Sequence, residues 1–137
     1  MMEAAAPMRR RPPLSFLAFD YGTRRVGVAV GNSMLKQAQP LTTVAAMGDA
    51  RFSAIARLVD EWRPDALVVG VPTHPDGVAH DNTRRAKAFA RQLHGRFRLP
   101  VHEVDERYTT TAALEARAAD VDAAAAALIL EQFLRSE

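Results

Sequence analysis

Apolar residues fall into two kinds of run along this chain, short unbroken ones and longer periodic ones, and their order lays out the elements. From Leu14 to Phe19 the chain is almost wholly apolar, and it stops abruptly at Asp20. A polar turn follows, Tyr21-Gly22-Thr23-Arg24-Arg25, and then a second apolar run, Val26-Gly27-Val28-Ala29-Val30. Two β-rich runs across a glycine-containing turn predict a β-hairpin. The near continuity of the first run predicts burial on both faces, and so a central place in its sheet. Residues 32–39 are expected to form a loop. Pro40 to Val44 reads as a third short strand, with proline at its start, where a missing donor is tolerated.

Helical spacing then takes over. Gly48-Asp49 opens a helix along which Phe52, Ile55, Leu58, Val59 and Trp62 recur, and Pro64 ends it. Ala66 to Val71 is a short apolar β-rich run of the kind buried in parallel sheets. A proline- and glycine-rich turn, residues 72–77, leads out of it. Asp81 or Asn82 can cap the next helix, which carries an apolar stripe of Ala86, Phe89, Ala90, Leu93 and Phe97. Val101 to Val104 reads as a strand ending in Asp105-Glu106-Arg107. Thr109 to about Ala118 is expected as an alanine-rich helix. A final helix runs from about Asp122 to Leu134, with Ala126, Ile129, Leu130 and Phe133 on one face. Three closely connected strands followed by two crossover units predict an α/β fold: a mixed sheet with helices on both faces.

Composition narrows the setting. With 137 residues and 48% hydrophobic content, the chain suffices for one domain with a real core. We place a basic disordered tail at 1–13 and the single folded domain at 14–137. No run of 18 apolar residues occurs, so no membrane span is expected. The leader MMEAAAPMRRRPP lacks the apolar stretch of a secretory signal. The absence of cysteine excludes disulfides and thiolate metal sites and fits a reducing cytoplasm. The net charge of +2 arises in the tail, because residues 12–137 balance 15 basic against 15 acidic side chains. Arginine outnumbers lysine 16 to 2, a bias that suits bidentate contacts to phosphate.

Acids stand at element ends: Asp20 after the first strand, Asp105 and Glu106 after the last, and Asp122 at the start of the final helix. Ligands of α/β sheets gather beyond the carboxyl ends of parallel strands. Carboxylates brought together there would repel unless cations bound among them, and Mg2+ or Mn2+ suits hard oxygen ligands of this kind. Two such ions can clamp an in-line phosphodiester displacement. Taken singly, each acid is equally well a helix cap or a solvated loop residue; the set carries the reading. Phosphate contacts are expected from Arg84, Arg85, Lys87, Arg91 and Arg96 on one helix, and from Arg24, Arg25 and Arg107 beside the acids. Thr109 and Thr110 can offer hydroxyls or helix-start amides to a phosphate, or simply cap the helix. Tyr21 and Tyr108 can stack on a base or pack internally. The four histidines show no metal-ligand spacing, and no GxxxxGK[ST] or GxGxxG loop is present.

The segments FDYGTRRVGVAVGN (19–32), VVGVPTHPDG (68–77), RRAKAFARQL (84–93), LPVHEVDERYTTTAA (99–113) and VDAAAAALILEQFL (121–134) resemble, in order, those of the YqgF/RuvX family of pre-16S rRNA nucleases related to Holliday junction resolvases. The resemblance implies an RNase H-like fold, with strands one to three antiparallel and strands four and five parallel to the first. It implies a cytoplasmic, Mg2+- or Mn2+-dependent nuclease acting on the 5′ end of pre-16S rRNA in ribosome assembly, with branched or single-stranded DNA as a further substrate class. Carried over by position, Asp20, Glu106 and Asp122 are the expected catalytic metal ligands. Asp105 is a supporting acid, and Asp120, where a basic residue is more usual in the family, is a rival for the place of Asp122. The alternative is a non-catalytic nucleic-acid or ribosome-assembly binding module of the same fold. No dimer surface can be read from the sequence, which leaves monomer and weak homodimer both open.

Overall fold

The structure, a computed structural model, describes residues 13–72, 81–106 and 120–136. The tail expected at 1–13, apart from Pro13, lies outside these residues, as do Arg107, Tyr108, Thr109, Thr110 and the alanine-rich helix expected from Thr109 to Ala118. The described elements are strands β1 (Ser15–Asp20), β2 (Val26–Asn32) and β3 (Ala38–Val44), helix α1 (Gly48–Trp62), strand β4 (Ala66–Pro72), helix α2 (Asp81–Phe97), strand β5 (Val101–Glu106) and helix α3 (Val121–Ser136). The strands form one sheet in the order β3-β2-β1-β4-β5. β1–β2 and β2–β3 pair antiparallel, and β1–β4 and β4–β5 pair parallel. The pairing senses are those expected, and the apolar run of β1 lies in the middle.

Strand alternation sorts the core into two layers. Leu17 and Phe19 of β1, with Val26, Val28, Leu67, Val69 and Val71, face α1 and α2, where Ile55, Phe89 and Leu93 are buried. Phe16 and Ala18, with Ala66, Val68 and Val104, face α3 through Ile129, Leu130, Phe133 and Leu134. Edge-to-face ring pairs join each layer to its helix: Phe16 with Phe133 at 5.3 Å and Phe19 with Phe89 at 6.0 Å between centroids. Burying each such large side chain contributes roughly 2 kcal/mol.

Two departures from the sequence reading each have a local reason. β3 begins at Ala38, not Pro40, because β2 continues to Asn32 and its partners extend the ladder. The register skips from Val28↔Thr42 to Ala29↔Pro40, leaving Leu41 as the extra residue of a bulge. β3 is an edge strand, so Pro40 withholds no inner hydrogen bond. Trp62, expected on the apolar stripe of α1, is 40% exposed. The helix ends there: Arg63 turns left-handed (φ 45°) and its N–H donates to the Val59 carbonyl. Among the described residues no helix is long and apolar enough to cross a membrane.

Candidate active site

The site is built around one residue row at the carboxyl end of β1. Asp20 is paired with Gly27 of β2 on one side and with Gly70 of β4 on the other, and Gly70 is paired in turn with Val104 of β5. Residues directly opposite one another share a face. Asp20 therefore stands on the α3 face of the sheet, in the series of Phe16 and Ala18. The paired position on each neighbouring strand is a glycine, which adds no side chain beside the carboxylate.

Gly27 also admits the start of α3. A Cβ built there would lie 1.8 Å from the Asp122 carbonyl oxygen and 2.2 Å from its carbon. The backbone of residue 122 thus rests on the backbone of residue 27, the strand partner of Asp20. Residues 20 and 122, far apart along the chain, meet across one glycine. The alanines Ala123 to Ala127 that follow are all buried, and their small side chains let the helix lie this close to the sheet.

Two acids flank the helix start, and hydrogen bonding separates their jobs. Asp120 is the N-cap: its Oδ1 accepts from the Ala123 N–H at 3.0 Å and from the Thr43 hydroxyl, and its carbonyl accepts from the Ala124 N–H. That carboxylate is committed to holding α3 on β3. Asp122 is half-buried and turned toward the β1–β2 turn, where its Oδ2 lies 3.0 Å from Nε of Arg25. Gly22, Thr23, Arg24, Arg25 and Asp122 line an open cavity of about 430 Å³ at this point.

Alternation in β5 separates the other pair. Val101 and Glu103 belong to the α1/α2 face, Val101 packing in that core and Glu103 bonded to Lys87 of α2 at 2.9 Å. Asp105 follows in their series, on the opposite face from Asp20. His102, whose ring lies 4.9 Å from that of Phe133, and Val104 belong to the α3 face. Glu106, paired with Pro72, occupies the next position of that second series. Among the described residues no three acidic or histidine side chains already stand grouped as a metal cage. The donor chemistry fits a hard cation nonetheless, because Asp20 and Asp122 offer carboxylate oxygens and the chain has no thiolate to offer.

Of the cations expected to meet phosphate, Arg24 and Arg25 line the cavity. Arg84, Arg85, Lys87, Arg91 and Arg96 lie exposed on α2. Three of these have anionic partners: Arg84 with Asp81 at 2.8 Å, Lys87 with Glu103, and Arg96 with Asp49 at 3.9 Å. Tyr21 is a packing residue, its ring 5.1 Å from that of Phe89. One residue of this region was missed by sequence reasoning. Arg51, in the first turn of α1, is 6% exposed and bonded to the carbonyls of Thr23 and Ala46. The available signal was its position four residues before Ile55, on the buried side of the helix.

The sheet order, the two helical layers and an acid at the end of the central strand define an RNase H-like fold. Its structural neighbours agree. Thermus thermophilus RuvC in complex with a Holliday junction substrate superposes with a TM-score of 0.55 at 16% identity, over 90% of this chain and 94% of that one. Archaeoglobus fulgidus Pelota gives 0.52 at 11% identity, over 96% of this chain and 36% of that one.

The family follows from sequence: the RuvX profile, described as Holliday junction resolvase, matches residues 14–136, and this chain belongs to that family. A relative from Albidiferax ferrireducens is 67% identical over 122 residues, covering 89% of this chain and 78% of the relative. One from Polaromonas is 59% identical over 136 residues, covering 99% of each. Both carry the name "Putative pre-16S rRNA nuclease".

Proposed function

We propose that this protein is a divalent-metal-dependent nuclease that trims the 5′ end of pre-16S rRNA during ribosome assembly in the cytoplasm, with branched DNA as a second substrate class. The observation that carries the reading is the meeting of residues 20 and 122 across Gly27, beside a cavity walled by Arg24 and Arg25. The names of the relatives supply the RNA; the site supplies the chemistry.

Asp20, Glu106 and Asp122 are the residues that would hold the cation. Bound there, Mg2+ or Mn2+ supplies charge neutralisation of the phosphodiester and lowers the pKa of water. Asp20 serves from a rigid central strand, flanked by glycines that leave room for a phosphate to approach. Asp122 is held by the helix that Asp120 caps, so its carboxylate is set by backbone geometry rather than by a mobile loop. Arg25, bonded to Asp122, is placed to pass its guanidinium to a phosphate oxygen as the nucleic acid enters. The exposed arginines of α2, on the opposite face of the sheet from Asp20, would offer the nucleic acid a second basic surface away from the scissile bond.

Cleavage of labelled RNA and of a four-way DNA junction, with Mn2+ or Mg2+, beside an Asp20→Asn variant, tests this. The wild type is expected to cut and Asp20→Asn to bind without cutting. Binding with no metal-dependent cleavage by the wild type would leave the non-catalytic module instead. Cleavage undiminished in Asp20→Asn would remove Asp20 from the site.

A further inference from the structure

Among the described residues Arg51 is the one charged side chain that is buried. A guanidinium out of water is expensive unless its donors are used, so its partners indicate what it is there for. Its Nε–H donates to the Ala46 carbonyl at 2.9 Å, in the loop between β3 and α1. Its Nη2 donates to the Thr23 carbonyl at 3.1 Å, in the β1–β2 turn. The guanidinium carbon lies 5.6 Å from the centre of the Tyr21 ring, on the other arm of that turn. Tyr21 is itself wedged against Phe89. One side chain therefore clamps the turn that lines the cavity, and does so from inside the core.

The clamp has a directional consequence. A trans peptide is planar, so its N–H points opposite to its C=O. Holding the Thr23 carbonyl toward Arg51 turns the Arg24 N–H away from the core. The turn is also tight at its other end, since a Cβ at Gly22 would lie 2.4 Å from the Arg25 carbonyl oxygen. Between these two restraints, Arg24 and Arg25 leave a backbone with little freedom to adjust.

We propose that Arg51 is a positioning residue for phosphate recognition: from beneath the β1–β2 turn it presets Arg24 and Arg25 to receive the backbone of the nucleic acid. The proposal rests on the nuclease reading above. A residue that merely stabilised the domain would lower affinity whatever the turn carried. One that positions the two arginines has an effect only while they are present.

A double-mutant cycle separates these cases. Affinity for a labelled single-stranded RNA is measured with metal chelated, so that nothing is cut, at several salt concentrations. Arg51→Leu is expected to bind about tenfold more weakly than wild type, with a shallower salt dependence. Combined with Arg24→Ala and Arg25→Ala, it is expected to add less than about twofold. Arg51→Lys keeps the charge and one carbonyl contact, so it guards against a variant that fails to fold and should fall between wild type and Arg51→Leu. Equal losses in both backgrounds, or wild-type affinity in Arg51→Leu and Arg51→Lys, would overturn the role of Arg51 alone. No RNA binding by the wild-type chain would overturn the nucleic-acid reading itself, and this role with it.

Discussion

Gly27→Ala is the smallest change that should take the site apart. The added methyl would stand 1.8 Å from the Asp122 carbonyl oxygen, 2.2 Å from its carbon and 3.0 Å from the Ala123 nitrogen. Ordinary contact begins at 3.4 Å, so the start of α3 must retreat by about 1.6 Å. All three obstructing atoms are backbone, so no side chain can swing aside to absorb the clash. Farther along, α3 is pinned by Leu130, Phe133 and Leu134 in the core, which forces the retreat to concentrate at its N-terminus. Overpacking of this kind costs about 3 kcal/mol, which for a domain of this size lowers the midpoint of thermal unfolding by about 10 °C. The functional loss should be larger than the loss of stability. Residue 122 would withdraw from Asp20, and a misplacement on the order of 1 Å can lower a rate about a hundredfold. Thermal unfolding and metal-dependent RNA cleavage, measured on the same preparation well below its midpoint, read the two effects separately. A Gly27→Ala variant with wild-type midpoint and turnover would refute the claim that this close approach builds the site.

Two residues at the start of α3, and two features of α2 away from the site, give further outcomes. Asp120→Ala removes the cap of α3 and its tie to Thr43, so it should lower stability by about 1–2 kcal/mol by chemical denaturation. Asp122→Asn should abolish metal-dependent cleavage while moving stability by less than about 1 kcal/mol, because its pairing with Arg25 is largely solvated; cleavage by the Asp122→Asn variant would transfer the ligand role elsewhere. Reversing Arg84, Arg85 and Arg91 to Glu should weaken RNA binding and flatten its salt dependence, and an unchanged slope would reduce that face of α2 to plain solvation. Gly95→Ala, where an added Cβ meets nothing within 4 Å, should stabilise α2 by about 0.5–1 kcal/mol without touching turnover.

What could be read from the sequence follows from how locally each feature is determined. The place of Asp20 was legible because a central strand announces itself by an unbroken apolar run; the acid by itself reads equally well as a cap of the turn. That Asp105 stands on the opposite face from Asp20 needed only the parity of β5, but parity has meaning once one residue of the strand is tied to a face. Glu103 on Lys87 and His102 against Phe133 provide that tie, and both are tertiary contacts. Arg51 was hidden for a related reason. At the start of a helix an arginine normally reaches solvent, and only the approach of two distant loops makes a buried guanidinium tolerable there.

Asp120 and Asp122 show why composition alone could not tell two neighbouring acids apart. Both sit at the start of the same helix, both fit a cap, and an acid is favourable at either place because the helix N-terminus carries partial positive charge. What separates them is a rotation of two residues around the helix axis, about 200° at 3.6 residues per turn, which sends the two side chains to nearly opposite sides. One side meets Thr43 on the edge strand and is used up in holding the helix; the other meets Arg25 over the cavity. The cap therefore belongs to the site as its foundation, since the position of Asp122 is only as well defined as the helix start that Asp120 fixes. Gly27 sets how near that start comes to Asp20, and Asp120 sets which way it faces. A chain with either one altered would retain every acid of the proposed metal site and still fail to bring them together.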